Sequence, residues 1–443
     1  MRTRRHVVML VVTVCACSLT SMLWGAASGA SVVGSSVTPA TGGGGVPVVP
    51  GFTSFDPAVV GYRQSEFFLS GTASAYAMTA PANNDGKYSA VVTSSAPYKT
   101  RAVVMRPVNP RRFNGTVLVE WLNVSGGADN GPDWTQAHTE MIREGFVWVG
   151  VSAQKVGVDA LRSDQPPRGD PVRYASLSHP GDDYSYDMFS QAGGSLRQRQ
   201  GVDPLGGLKP RHVIATGESQ SAFRMVTYVN AIAPIAHVFD GYLIHSRGGS
   251  GAALSASSAR ALPAVARIRT DLSVPVMTFE TETDLVKLGF FPALQPDTAH
   301  LRTWEVAGTS HADQSTVGYG IESAKVWSSQ AVPDFSIQCG PLNAGPQGAV
   351  LHKVWAALTA WVSTGVPPAT APPMQTVNGT IARDQHGNAL GGVRTPAVDA
   401  PTATLTGLSP STNFLCSLFG QTTPLSPATL ASLYPTHADT PRT

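Results

Sequence analysis

Short runs of apolar residues recur through the middle of the chain, and segments with helical or polar patterns separate them. These apolar runs occupy residues 116–122, 146–151, 213–216, 239–244, 274–279 and 302–307. Between them, residues 134–144 and a stretch ending at Pro234 have the apolar spacing of helices. Buried strands that alternate with helices are typical of a mostly parallel sheet covered on both faces, so we predict an α/β fold.

The flanking regions have different patterns. Residues 52–107 contain strand-like runs between turn residues, and a helix predicted over residues 349–364 ends before Pro367. We therefore expect a single main domain over residues 51–430. Its C-terminal extension, residues 367–430, is rich in Pro and Thr.

Two further segments are assigned by position and composition. Residues 248–273, rich in Ala and Leu, are predicted to be a small cap over the carboxyl edge of the sheet. Residues 431–443 are predicted to be a disordered tail.

The N-terminus has the pattern of an export signal. Residues 1–6 are basic, residues 7–14 are apolar apart from Thr13, and small residues lead to Ala30. This pattern predicts a signal peptide over residues 1–30 and a secreted, extracellular protein. Polar residues interrupt the apolar run well short of the ~20 residues that a membrane span requires, although lipidation at Cys17 is a further alternative. Residues 31–50 are Gly-rich and are predicted to be a flexible leader.

Composition narrows the classes of function. Hydrophobic residues make up 42% of the 443 positions and charged residues 14%, which suits a folded domain with a large core. The chain has 31 basic and 29 acidic residues, and three of the basic residues lie in the predicted signal peptide. A nearly neutral mature chain argues against nucleic acid as a partner.

The cysteines predict a disulfide. Cys15 and Cys17 lie in the predicted signal peptide, which leaves Cys339 and Cys416 in the mature chain. Two cysteines in an exported protein most simply form a disulfide, although two buried thiols are the alternative. No CxxC pair or His-rich tract accompanies them, so no metal site is expected.

A serine at a sharp turn is the strongest candidate for chemistry. Gly217-Glu218-Ser219-Gln220-Ser221 lies directly between a predicted strand and a predicted helix. Small residues at positions 217 and 221 permit a tight turn that would hold Ser219 in a strained conformation and expose its hydroxyl. The following helix would aim the Gln220 N–H at an oxyanion.

A serine hydroxyl needs a base, and the base needs a carboxylate. His311 follows the last predicted strand, and Asp284 follows the strand before it, with Glu282 as an alternative acid. Loops at the carboxyl ends of parallel strands share one edge of the sheet. We therefore expect Ser219, His311 and Asp284 to meet there.

Loops at the same edge suggest further site residues. Asn123-Val124-Ser125-Gly126-Gly127 is Gly-rich, and the Val124 or Ser125 N–H is a candidate second oxyanion donor, with Asn123 shaping the loop; a plain turn is the alternative. His245 and Arg247 follow another strand. Either residue could line a substrate pocket or be an internally satisfied residue at the edge of the sheet.

Four motifs in order resemble the bacterial alpha/beta hydrolase domain family. They are Val119-Glu120-Trp121-Leu122-Asn123, Gly217-Glu218-Ser219-Gln220-Ser221, Glu282-Thr283-Asp284, and the stretch from Glu305 to Asp313. The resemblance runs from about Phe55 to Ser426. It implies an α/β-hydrolase fold and a serine hydrolase without a cofactor, with Ser219, Asp284 and His311 in the catalytic positions.

The expected function is hydrolysis of carboxylic esters, with a small-molecule or lipid-like ester as substrate. One alternative is an acyltransferase of the cell envelope that uses the same three residues. A second is an extracellular binding protein on a hydrolase scaffold, because a fold alone does not prove activity.

Overall fold

A computed structural model describes residues 32–44, 47–48, 52–165, 168–255, 262–327 and 334–436. The predicted signal peptide and the last seven residues of the predicted tail lie outside these ranges. No helix in the described ranges is long and apolar enough to span a membrane.

A large mixed sheet is the centre of the fold. Among the described residues it contains ten strands: β1 (Ser36–Pro39), β2 (Tyr62–Met78), β3 (Ala90–Pro107), β4 (Thr116–Trp121), β5 (Val147–Val151), β6 (Gln200–Gly201), β7 (His212–Glu218), β8 (Gly241–His245), β9 (Val276–Thr281) and β10 (Leu301–Val306). Their order is β10-β9-β8-β7-β4-β5-β3-β2-β1-β6. The run from β10 to β5 is parallel throughout.

Helices cover this sheet. They are α1 (Pro132–Glu144), α2 (Lys155–Leu161), α3 (Ser185–Ser195), α4 (Gln220–Thr227), α5 (Ala233–Ala236), α6 (Glu282–Val286), α7 (Gln314–Trp327), α8 (Phe335–Cys339), α9 (Gln347–Thr364), α10 (Pro396–Asp399), α11 (Phe414–Ser417) and α12 (Pro427–Leu433). The helix expected to stop at Pro234 instead passes through a π turn into α5. Pro234 lies in the first turn of α5, where no backbone N–H is needed.

The predicted apolar runs form the buried strands. Every residue of β4, β5, β8, β9 and β10 is buried, which is the pattern of strands covered on both faces. Two large apolar clusters lie on the two faces of the sheet, with Trp121 in one and Trp148 in the other. The predicted α/β-hydrolase architecture, with a mostly parallel sheet between helices, is confirmed.

The predicted leader is partly ordered, which corrects the expectation of a flexible segment over residues 31–50. Residues Ser36–Pro39 form β1, which pairs antiparallel with β2. Val37 is fully buried, and an added Cβ at Gly34 would lie 2.6 Å from the backbone N of Ser195. Glycine at that position therefore permits a close approach to α3, so this glycine serves packing.

The C-terminal extension is more structured than its composition suggested. Two short antiparallel ladders, β11 (Thr376–Val377) with β12 (Thr380–Ile381) and β13 (Ala403–Thr406) with β14 (Gln421–Pro424), fold against the main domain. The predicted disulfide is present between Cys339 of α8 and Cys416 of α11. It joins the extension to the segment that follows α7.

Candidate active site

Ser219 lies at a sharp turn between β7 and α4. Its backbone has φ 55° and ψ −118°, which is the strained conformation expected for a residue whose side chain must project from the edge of the sheet. An added Cβ at Gly217 would lie 2.8 Å from Met225 and 2.9 Å from the carbonyl oxygen of Ser221, so only glycine fits there. Ser221 is fully buried, and its side chain is small enough to keep the turn.

His311 lies in the loop between β10 and α7, and its imidazole joins two other side chains. Its Nε2 is 2.8 Å from the hydroxyl of Ser219, and its Nδ1 is 2.6 Å from Oδ1 of Asp284. The backbone N–H of His311 donates to the hydroxyl of Thr283, 3.1 Å away. The loops after β9 and β10 are thereby held together. The structure thus brings Ser219, His311 and Asp284 into one hydrogen-bonded row.

Asp284 is oriented by the start of its own helix. Its Oδ2 accepts hydrogen bonds from the backbone N–H and the hydroxyl of Thr281, both at 2.7 Å. This capping box at the N-terminus of α6 leaves Oδ1 to face the imidazole. Asp284 is fully buried, so its carboxylate has a fixed position under His311.

Glu282, the alternative acid, faces away from His311. Its Oε1 accepts from the N–H of Gly308 at 2.7 Å, and its Oε2 pairs with Arg383 at 2.7 Å and accepts from the N–H of Gly407 at 3.1 Å. These partners anchor the C-terminal extension to β9 and β10. The structure therefore gives no support to the alternative assignment of Glu282 as the acid. Two positions along a helical turn point a side chain in a different direction.

Glu218 is a second carboxylate on the imidazole, and the sequence interpretation missed it. Its Oε1 is 3.2 Å from Nε2 of His311, and its Oε2 is 3.4 Å from the side-chain nitrogen of Asn123. Its place directly before Ser219 in the turn motif was the available signal. The direction of its side chain, however, depends on the strained turn and on the neighbouring loop.

The two carboxylates raise the basicity of His311. Burial disfavours the imidazolium, but the negative charges of Glu218 and Asp284 outweigh burial and raise the pKa of His311 to about 9. Burial also raises the pKa of Glu218 to about 7, against the opposing charges of His311 and His245. The imidazole and the two carboxylates form one coupled acid–base group.

The three oxyanion candidates differ in what surrounds them. The N–H of Ser125 donates to Oδ1 of Asn123 at 2.8 Å, so it is already used within an Asx turn, and this candidate is not supported. For the N–H groups of Gln220 and Val124, no acceptor lies within the described part of the chain. Asn123 also donates to the carbonyl of Glu218 at 3.2 Å. The loop is therefore tied to the turn that holds Ser219.

His245 and Arg247 are not among the described residues that line the cavity at Ser219, and the suggestion that they do is corrected. His245 is fully buried, and its Nδ1 is 3.0 Å from Asp133 at the start of α1. Arg247 is 1% exposed, and its guanidinium bonds the carbonyls of Gly248 and Ala266. The alternative of an internally satisfied edge residue fits Arg247. His245 is satisfied only in part, since its Nε2 is buried without a hydrogen-bond partner among the described residues.

A cavity of about 830 Å³ opens above Ser219 and His311. Within the predicted cap, which spans residues 248–273, Gly251 and Ala252 line this cavity, whereas residues 256–261 lie outside the described ranges. A larger share of the wall comes from the C-terminal extension, which the sequence interpretation did not connect with the site. The contributing side chains of that extension are Phe414, Leu415, Leu418 and Phe419.

Comparison with known proteins gives one extended match. The family model described as "Alpha/beta hydrolase domain" matches residues 33–439. No curated protein matches the sequence.

Many solved structures are similar to parts of the chain, including the following three, which are hydrolases or esterases by description. An a/b serine hydrolase without lid from Xanthomonas campestris is 12% identical, with a TM-score of 0.31 over 53% of this chain and 92% of that chain. Esterase Est22 is 11% identical, with a TM-score of 0.33 over 69% of this chain and 81% of that chain. A rice cell wall degrading esterase from Xanthomonas oryzae is 17% identical, with a TM-score of 0.22 over 42% of each chain. TM-scores this low carry no inference about activity.

Proposed function

We propose that this chain, which belongs to the alpha/beta hydrolase domain family, is an exported serine hydrolase that cleaves carboxylic esters. One observation carries the proposal. The hydroxyl of Ser219 is 2.8 Å from His311, whose other ring nitrogen is 2.6 Å from Asp284. A hydroxyl, an imidazole and a carboxylate in this order can transfer a proton and attack a carbonyl carbon.

The proposed reaction has two halves. Neutral His311 removes the proton of Ser219 as the serine oxygen attacks the ester carbonyl, and Asp284 stabilises the resulting imidazolium. The N–H groups of Gln220 and Val124 donate to the developing oxyanion, each worth about 3 kcal/mol if both are in place. The imidazolium then protonates the leaving alcohol. In the second half, His311 activates water, which releases the acid and regenerates Ser219.

Export is supported by two independent features. The basic and apolar N-terminal segment has the pattern of a signal peptide, and it lies outside the described residues. The Cys339–Cys416 disulfide suits an oxidising compartment.

A substrate screen with covalent labelling tests the proposal. We expect the purified chain to hydrolyse short-chain p-nitrophenyl esters and to react with a fluorophosphonate at Ser219. A chain that neither turns over such esters nor becomes labelled would favour a binding protein. Accumulation of a new ester when an alcohol or a glycan is added would instead favour an acyltransferase.

Glu218→Gln should shift the pH dependence of catalysis. The base must be neutral, so kcat/KM rises with pH through the pKa of His311, which is about 9. Removing the negative charge of Glu218 lowers that pKa, because the imidazolium loses one of its two partners. The acidic limb of the kcat/KM profile should therefore move to lower pH, measured between about pH 5 and pH 10 with a neutral ester.

Glu144→Gln serves as the matched control for this shift. Glu144 lies at the exposed end of α1, where it pairs with Arg143. Its variant should keep the parental profile. An unmoved acidic limb in Glu218→Gln would show that the 3.2 Å contact does not control the protonation of His311.

A further inference from the structure

We propose that the segment Asn413–Phe419 is the binding wall for an apolar chain of the substrate. The substrate class is then neutral esters that carry a medium or long alkyl chain. This inference rests on the proposed ester hydrolysis and specifies its substrate. The shared chemistry is an alkyl chain, which can lie on the acyl side or on the alcohol side of the ester.

The cavity above Ser219 has an apolar side. Four large apolar side chains of the C-terminal extension line it, together with two more from the main domain. The six are Phe223, Leu288, Phe414, Leu415, Leu418 and Phe419. Binding cavities of this composition favour the apolar part of a ligand, while a few polar groups fix its orientation. Here those polar groups include the side chains of Ser219 and His311 and the Asn123 loop.

The apolar wall is held at a fixed distance from the reacting groups. The N–H of Ala312, the residue after His311, donates to the carbonyl of Leu418 at 3.2 Å, and the N–H of Asn343 donates to the carbonyl of Phe419 at 3.0 Å. The disulfide of Cys416 with Cys339 anchors the same segment covalently. The wall therefore belongs to the active site rather than to a loosely attached tail.

The exposed fraction of the large apolar side chains falls from Phe414 to Phe419, as expected for a segment at the entrance of the cavity. Phe414 is 71% exposed and Leu415 43% exposed, whereas Phe419 is buried against Phe335 and the disulfide. Contiguous exposed apolar side chains next to a cavity are typical of ligand-binding grooves. An alkyl chain lying from Ser219 towards Phe414 would cover both exposed side chains.

The fixed charges at the cavity do not select an anionic substrate. Among the described residues that line the cavity, the charged side chains besides His311 are Glu218 and Arg224. Arg224 is already paired with Asp182 at 3.0 Å, so its charge is compensated. Glu218 lies next to Ser219 and repels a carboxylate when it is ionised. The lining charges therefore favour a neutral ester as the substrate.

The selectivity for esters with long over short alkyl chains tests whether this wall binds the alkyl chain. The Phe414→Ser/Leu415→Ser double variant removes apolar surface that is exposed at Phe414 and partly exposed at Leu415, so we expect only a small loss of stability, which the melting temperature checks. We expect its kcat/KM ratio for p-nitrophenyl octanoate over acetate to fall about tenfold, since a longer chain loses more contact with the wall. Octyl acetate compared with ethyl acetate gives the alcohol-side ratio. A fall in either ratio supports the wall and identifies the side, whereas two unchanged ratios overturn it.

The control is Ile235→Ser, which matches Leu415 in exposure at 42% but lies on α5 away from the cavity. It should keep both kcat/KM ratios.

Reduction of the disulfide in the wild-type chain should lower the same ratio as the double variant, and an unchanged ratio would contradict the anchoring role of the disulfide. If the wild-type chain hydrolyses acetate and octanoate esters and only the ratios fail to respond, the wall is wrong while ester hydrolysis stands. If no ester is hydrolysed, the proposed function itself fails.

Discussion

Ser219→Ala should lower kcat for ester hydrolysis by about 10⁵- to 10⁶-fold, to the level that binding and oxyanion stabilisation alone provide. Alanine has no oxygen that can form an acyl-enzyme, and His311 then has no proton to accept at 2.8 Å. The fold should be unaffected, because the Ser219 side chain points into the cavity and the turn depends on the backbone. Initial rates with a p-nitrophenyl ester and fluorophosphonate labelling followed by peptide mapping measure the loss.

Ser221→Ala is the matched control for this loss. Ser221 lies in the same turn and is fully buried, and no partner for its hydroxyl is present among the described residues. Removing that hydroxyl should leave kcat within a few-fold of the wild type. Parental turnover in Ser219→Ala, or a label mapped to another residue, would refute the assignment of the nucleophile.

Asp284→Asn should lower kcat by about 10⁴-fold. The Thr281 N–H and hydroxyl both donate to Asp284, so they would retain the amide oxygen of the new side chain. The amide NH₂ would then face Nδ1 of His311 and donate to it. That arrangement places the ring proton on Nε2, which can no longer accept the proton of Ser219. The rate should fall while the melting temperature changes little.

Glu282→Gln should show the opposite behaviour, with near-parental kcat and lower stability. The substitution removes the buried charge that pairs with Arg383 and accepts from two backbone N–H groups. The free energy of unfolding should fall by about 2 kcal/mol. Steady-state kinetics and chemical denaturation of both variants give the ranking. A larger loss of activity in Glu282→Gln than in Asp284→Asn would reassign the acid.

The three proposed catalytic residues could be predicted because residues close to each of them in the sequence determine its position. The turn at Ser219 requires small residues immediately beside it, and an added Cβ at Gly217 would lie 2.8 Å from Met225. The strands that precede Asp284 and His311 are short, fully buried segments in which apolar residues recur, and parallel strands deliver their following loops to one edge. The cysteine pairing followed from the number of cysteines in the predicted mature chain.

Other features depended on the direction in which a side chain points, and local sequence patterns do not predict that direction. Glu218, Glu282 and His245 are polar residues at the same edge, yet one contacts the imidazole, one anchors the extension and one is buried with Asp133. Each direction follows from which partner the tertiary fold brings within hydrogen-bonding distance. The sequence patterns did not predict strand β1 for the same reason. Val37 becomes buried only when β2 lies beside it.

The sequence by itself determined the α/β sheet, the strained turn at Ser219 and the order of serine, acid and histidine, because short-range patterning and strand direction control these features. Only the tertiary structure decided that Glu218 shares the imidazole and that the segment around Phe414 lines the cavity. Side chains far apart in the chain meet through packing, a disulfide and backbone hydrogen bonds between loops. Those contacts exist only once the whole domain has folded.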